Sequence, residues 1–228
     1  MREGRWLSAV IAITAAAMAM SGCASSAPSQ VVSQTSRFDR IIDLDPADTS
    51  GDVALEEVLD SRRSGRSFAG SSVSLDVLGQ LLWAGQGVTD AQGHRTAPSA
   101  GARYPIELYA ITADEVMRYR PNSHQVDVRS DARVLGGLAE LAFGQSFVSA
   151  APLVIAVIAE PARTAAEYGA AAEPLVDRES GHVAQNILLQ ATALGLSSVP
   201  VGGFDPHAIA ELLALPPGQD VRYLIPVG

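Results

Sequence analysis

Arg62, Arg63 and Arg66 place three of the chain's 16 basic residues within five positions, with Ser64 and Gly65 between them. Guanidinium forks match phosphate geometry, a serine hydroxyl adds a donor, and a small residue lets the backbone come close. In a chain of net charge -9 such a cluster is a local concentration of anion donors. The same pattern also describes a solvated basic turn after a helix, where cations suit the C-terminal end. A second constellation, Arg95-Thr96-Ala97-Pro98-Ser99-Ala100-Gly101-Ala102-Arg103-Tyr104-Pro105, sets small residues between two prolines and two arginines. It is thin enough for a flat ring to lie against, and equally an ordinary connection into a strand. The third is Ser198-Val199-Pro200-Val201-Gly202-Gly203-Phe204-Asp205, whose double glycine exposes backbone N–H groups before a capped helix. It also fits a simple tight turn, and it is not a GxGxxG dinucleotide fingerprint.

Composition removes several chemistries. Every basic residue is Arg, so Schiff-base lysines and a P-loop lysine are excluded. Cys23 is the sole cysteine, which rules out an internal disulfide, a CxxC pair and a thiolate metal site. His94, His124, His182 and His207 are widely spaced, form no HExxH pattern and give no metal site. No GxSxG elbow supports a serine hydrolase. The acidic balance argues against nucleic acid as a partner. With 47% apolar and 18% charged residues, the chain can bury a sizeable core.

Residues 1–22 read as an export address. Arg2 and Arg5 precede an apolar run over 6–20, and Met20-Ser21-Gly22-Cys23 follows. The small-small-Cys ending resembles a bacterial lipobox, with Cys23 as the lipidation site and a protein anchored to the cell envelope. An uncleaved anchor is the other reading, although about 15 apolar-biased residues are short for a span of ~20. Residues 23–50 form a tether or N-terminal arm whose Phe38, Ile41, Ile42 and Leu44 could dock on the domain or wrap a partner subunit.

The elements that must position the three segments follow from periodicity. Helices are predicted over 53–61, 75–85, 131–141 and 177–194, and one starts at Pro206 behind an Asp205 cap. Strands are predicted over 106–112, 152–159, 197–201 and 221–227, with a hairpin joining 116–119 to 126–128. The result is one mixed domain over 51–228.

The order of these pieces resembles the nitroreductase superfamily, specifically its SagB-type dehydrogenase branch. The likeness covers about 52–227. It is carried by Arg62-Arg63-Ser64-Gly65-Arg66-Ser67-Phe68, Leu81-Leu82-Trp83-Ala84-Gly85-Gln86-Gly87, the Pro98 loop, Gly181-His182-Val183-Ala184-Gln185-Asn186, the Gly202 turn and Tyr223-Leu224-Ile225-Pro226-Val227-Gly228. It implies an α+β fold with a central antiparallel sheet flanked by helices, in a homodimer with FMN at the subunit interface. By position, Arg62, Ser64 and Arg66 would bind the flavin phosphate with Arg63 alongside. Pro98, Ser99, Ala100 and Gly101 would line the ring, and Val201, Gly202 and Gly203 would face it from the other side. The implied activity is ping-pong hydride transfer from NAD(P)H, or from another donor outside the cytoplasm, to a small acceptor such as a nitro compound or quinone.

Ala102 and Gly202 are small where many relatives are polar, so ring hydrogen bonds would come from backbone. No basic tail follows Gly228, and a Lys–Tyr pair of the azoline-oxidising kind cannot form without lysine. No catalytic side chain is assigned. A non-catalytic, membrane-anchored lipoprotein that keeps the fold for ligand or partner binding is the second reading, and a structural envelope lipoprotein the third.

Overall fold

The computed structural model describes residues 38–228, apart from Ala69 and Ser71. The export segment, Cys23 and the first part of the tether lie outside the described residues. In chain order the elements are β1 (Arg40–Asp43), α1 (Leu55–Ser61), α2 (Leu75–Gln86), β2 (Ile106–Ile111), β3 (Glu115–Arg120), β4 (Gln125–Ser130), α3 (Val134–Leu141), α4 (Phe147–Ala150), β5 (Leu153–Ala159), α5 (Pro161–Tyr168), α6 (Ala172–Ala193), α7 (Pro206–Leu212) and β6 (Asp220–Val227). The six strands form one sheet in the order β1-β4-β3-β2-β5-β6. Every neighbouring pair is antiparallel.

Strand β5 shows how the sheet is covered. All seven of its residues are apolar and buried, because both faces of the sheet carry helices. Leu153, Ile155 and Val157 point into a core shared with α2 and α6, through Leu78, Leu81, Leu82, Val183 and Ile187. Val154, Ala156 and Ile158 point the other way, into a core shared with α3 and α7 through Leu135, Leu138 and Ile209. Each fully buried Leu or Ile contributes roughly 1.5–3 kcal/mol. Helix α6 runs 22 residues under the sheet and thereby joins the segment before the Gly202 turn to the underside of the Pro98 loop.

Three features sharpen the sequence expectations, each for a local reason. Helix α6 begins at Ala172 rather than 177, because Pro174 falls in the first turn, where its missing N–H removes no intrahelical bond. The expected strand over 197–201 is reduced to isolated bridges, Ser198 to Val227 and Val201 to Leu224, since Pro200 has no N–H for a ladder. The arm docks on its own domain: Arg40–Asp43 pairs with β4, and Leu44, 7% exposed, enters the core. Among the described residues, no helix is long and apolar enough to cross a membrane.

Candidate functional site

The arginine segment leaves α1 in an extended course and is held against the loop before the Gly202 turn. Ser64 forms a parallel bridge with Ser198, and the Gly65 N–H donates to the Ser198 carbonyl at 3.0 Å. Gly65 is required for this approach, because a Cβ there would lie 2.9 Å from Ser197 Cβ. The three arginines then divide. Arg63 folds back, its Nη1 donating to the carbonyls of Asp60 at 2.6 Å and Arg62 at 2.8 Å. It closes the C-terminal end of α1, as a basic turn would. Arg62 and Arg66 make no ion pair with the described residues, and the Arg66 guanidinium lies 5.5 Å from the Phe147 ring centroid. Arg62, Ser64 and Arg66 therefore remain as candidate anion donors, while the Arg63 guanidinium is already engaged by backbone carbonyls.

The Gly202 turn shares this surface. Gln145 Nε2 donates to the carbonyls of Ala142 at 2.9 Å and Gly203 at 2.9 Å, which ties the loop before α4 to the turn. Val201 contributes little beyond scaffold. Its side chain is buried in the core, and its N–H and C=O are both taken by Leu224. Gly202 and Gly203 are exposed. A Cβ on Gly202 would meet nothing within 4 Å, so packing within the chain gives no reason for glycine there. The turn is a bare backbone face, which suits a flat ring lying against it.

The Pro98 loop makes its contacts elsewhere. It turns sharply at Gly101 (φ 58), Ala102 (φ 52) and Tyr104 (φ 46). Two of these are non-glycine residues in the left-handed region, a strained course that its surroundings must hold. Ser99 Oγ accepts from the Tyr104 N–H at 2.8 Å, Arg103 Nε donates to Glu167 at 2.6 Å, and Arg163 donates to the Tyr104 carbonyl at 3.2 Å. Pro98 and Gly101 are exposed, whereas Ser99 and Ala100 are half-buried. Among the described residues, no hydrogen bond, ion pair or ring contact joins residues 98–101 to residues 62–66 or 201–203. The structure thus brings two of the three predicted segments together and leaves the third on its own support.

Beneath that loop lies a group the sequence reading missed. Glu179 of α6 is 3% exposed, and burial pushes its carboxyl up to about 7 against the pull of Ser99, Arg95 and Gln86. Arg95 Nη1 donates to Gln86 Oε1 at 2.7 Å, and its guanidinium lies 4.4 Å from the Tyr104 ring centroid. The available signal was a carboxylate on the apolar stripe of Val176, Val183 and Ile187. The described residues hold no cluster of His, Cys, Asp or Glu able to bind a metal.

The residues present fit a flavin mononucleotide in parts: two arginines without an ion pair among the described residues and a hydroxyl for the phosphate, and two bare backbone surfaces for a ring. The comparisons with known proteins agree. The model of the Nitroreductase family matches residues 59–228. A Methanocaldococcus jannaschii protein that carries the nitroreductase name is 40% identical over 183 residues, covering 78% of this chain and 91% of that protein. A solved Ralstonia eutropha structure, also named for nitroreductase, is 29% identical with a TM-score of 0.75, over 84% of this chain and 90% of the other. The NADPH:FMN oxidoreductase of Vibrio harveyi, solved with NAD+, shares the fold at 21% identity and a TM-score of 0.58, over 76% of this chain and 67% of the other. Sequence match, fold and the surfaces described above converge: the chain belongs to the nitroreductase family of oxidoreductases.

Proposed function

We propose that the protein is an FMN-dependent oxidoreductase of the SagB-type branch, passing a hydride by a ping-pong scheme to a small acceptor such as a nitro compound or a quinone. The observation that carries this reading is the shared surface of Arg62, Ser64 and Arg66 with the bare Gly202-Gly203 turn. Among the described residues, Arg62 and Arg66 make no ion pair there, and a Cβ on Gly202 would meet nothing within 4 Å. When bound, FMN would supply the hydride chemistry at its ring. The chain's own residues have simpler tasks. Arg62 and Arg66 neutralise the phosphate, with Ser64 donating to it. The backbone of Gly202 and Gly203 offers close approach and N–H donors along one side of the ring.

Among the described residues of one chain, no hydrogen bond, ion pair or ring contact joins residues 98–101, the ring's other support, to that surface. The reading therefore includes a homodimer in which the Pro98 loop of one protomer meets the Arg62–Gly203 surface of its partner. Lipidation at Cys23 and anchorage to the bacterial envelope complete it, with NAD(P)H or a membrane-side donor as reductant.

Purified protein tests the core of this reading directly. It should be yellow, with flavin absorbance that survives desalting, and NADH or NADPH should bleach it if either is the donor. A colourless preparation that ignores added FMN sinks the enzyme reading in favour of a non-catalytic lipoprotein. Bleaching by neither nucleotide leaves the flavin assignment intact and points to a donor in the envelope.

A further inference from the structure

The Ser99 loop rests on a carboxyl group that the proposed function leaves without a task. Asp131 shows what a structural carboxylate looks like in this fold: Arg129 holds it at 2.6 Å and Arg133 at 3.1 Å. Glu179 is different. It is more buried than most side chains in the protein, at 3% exposure, yet its Oε1 makes no hydrogen bond. Gln86, 1% exposed, stands beside it and pulls on the carboxyl as a donor, although its Nε2 meets no acceptor at full hydrogen-bond geometry. Native proteins keep few such groups, and they concentrate where a proton or a ligand is exchanged.

The surroundings are arranged for two charge states. Among the described residues, Arg95 is the cation that acts on Glu179, and it makes no ion pair; its Nη1 is given to Gln86. Arg163 lies behind Arg95 and is itself held by Glu107 and by Glu160 at 2.6 Å. Ser99 Oγ accepts from the Tyr104 N–H at 2.8 Å, so its O–H remains to be donated, and Glu179 is within its reach. On α6 the residues a turn to either side, Val176 and Val183, are apolar and fully buried, and His182 is exposed. A cleft of about 320 Å³ nearby is lined by Gln86, Arg95, Glu107 and Arg163.

We propose that Glu179 is a positioning residue acting through Ser99: by binding or releasing one proton it reorients the Ser99 hydroxyl and sets the charge behind the Ser99–Gly101 loop, and so tunes the reduction potential of a flavin lying on that loop. The inference rests on the flavin reading given above. With the carboxyl ionised, the Ser99 O–H points down to it, and a negative charge in a low-dielectric layer disfavours adding electrons to the ring. With the carboxyl protonated, that charge is gone and the Ser99 O–H is released to turn toward the loop surface. The proton itself is exchanged with solvent water. Burial pushes the carboxyl up to about 7, so both states are populated near neutral pH.

The test uses the full chain reconstituted with FMN, with midpoint potentials measured from acidic to mildly alkaline pH for wild type, Glu179→Gln and Glu179→Asp. The expected wild-type minus Glu179→Gln difference is near zero at acidic pH, turns negative through neutrality and then levels. Glu179→Asp keeps a step of the same sign, and Ser99→Ala shrinks it. A flat difference overturns the proposal, and a full-sized step in Ser99→Ala overturns the route through Ser99. If Glu179→Gln does not fold, wild type minus Ser99→Ala isolates the part of the step routed through Ser99, and a difference that does not change with pH overturns that route. An infrared titration of the flavin-free protein adds a readout independent of the cofactor: a protonated-carboxyl band lost near neutral pH in wild type and missing from Glu179→Asp or Glu179→Gln at that position. Its absence at every pH overturns the proposal. Failure of FMN to bind removes the flavin reading and this inference together, whereas a bound flavin with a flat difference curve removes this inference alone.

Discussion

At the scale of single residues, the site divides by which polar groups the fold has already used. Arg63 gives its guanidinium to the end of α1, whereas Arg62 and Arg66 keep theirs. Replacing Arg62 or Arg66 with Ala should each cost about 1.5–3 kcal/mol of FMN affinity, a charge-assisted contact apiece. By the same standard Arg63→Ala should cost a few tenths, and fluorescence titration of added FMN distinguishes the three. Gly202→Val separates site from scaffold. Open space surrounds that position, so the melting temperature should hold while flavin affinity falls at least tenfold. A loss of stability equal to the loss of affinity would contradict a bare ring-facing turn. Glu179 makes the pH prediction. Its folded carboxyl titrates near 7 against an ordinary value of 4.5, so between those values the folded chain holds a proton that the unfolded chain has released. Stability then falls as pH rises across that window, by as much as about 3 kcal/mol, and is level above it. Glu179→Gln should therefore gain stability over wild type between pH 5 and pH 8, as denaturant midpoints would show.

At the scale of elements, the sequence made legible whatever a local period or a cap determines. The Asp205 cap is an example: its Oδ1 accepts from the N–H groups of His207 at 3.1 Å and Ala208 at 3.0 Å, and Pro206 opens α7 behind it. The all-apolar run of β5 is another, since burial on both faces erases alternation. What stayed hidden depends on partners distant in the chain. Nothing local to Arg40–Asp43 says that it will pair with β4 rather than wrap a second subunit. Nothing local to Glu179 says that residues some 80 positions earlier will bury it, and nothing in Arg-Arg-Ser-Gly-Arg says that the middle arginine turns back on its helix. Gly65 is the clearest link between the two levels, because its role is the close passage of the arginine segment by Ser197. Gly65→Ala should destabilise the domain by about 1–3 kcal/mol through overpacking and weaken FMN binding as the segment shifts. Adding Ser197→Gly should restore part of both. If the double variant is no better than Gly65→Ala alone, the contact with Ser197 is not what the glycine serves.

At the scale of the whole molecule, the arrangement of half-sites makes its own prediction. Residues 62–66 and 202–203 share one surface of a chain, while residues 98–101 are supported through Tyr104, Glu167 and Arg163. If one flavin is held by both across the proposed subunit interface, a two-fold dimer has two equivalent sites, each built from unlike halves of its subunits. That geometry permits complementation. Arg66→Ala disables the phosphate half, and Pro98→Trp blocks the ring half at an exposed position where the added bulk does not enter the core. Each variant alone should bind little FMN. Co-expressed in equal amounts with random pairing, half of the dimers carry one chain of each kind, and each of these has one site built from two unaltered halves. About a quarter of the wild-type flavin content should therefore return. Recovery near that level, lost when the two chains are made separately and mixed without exchange, is the outcome expected of a site completed across the dimer. No recovery would place the Pro98 loop and the arginine segment in different sites, and the ring would then rest on the Gly202 turn alone.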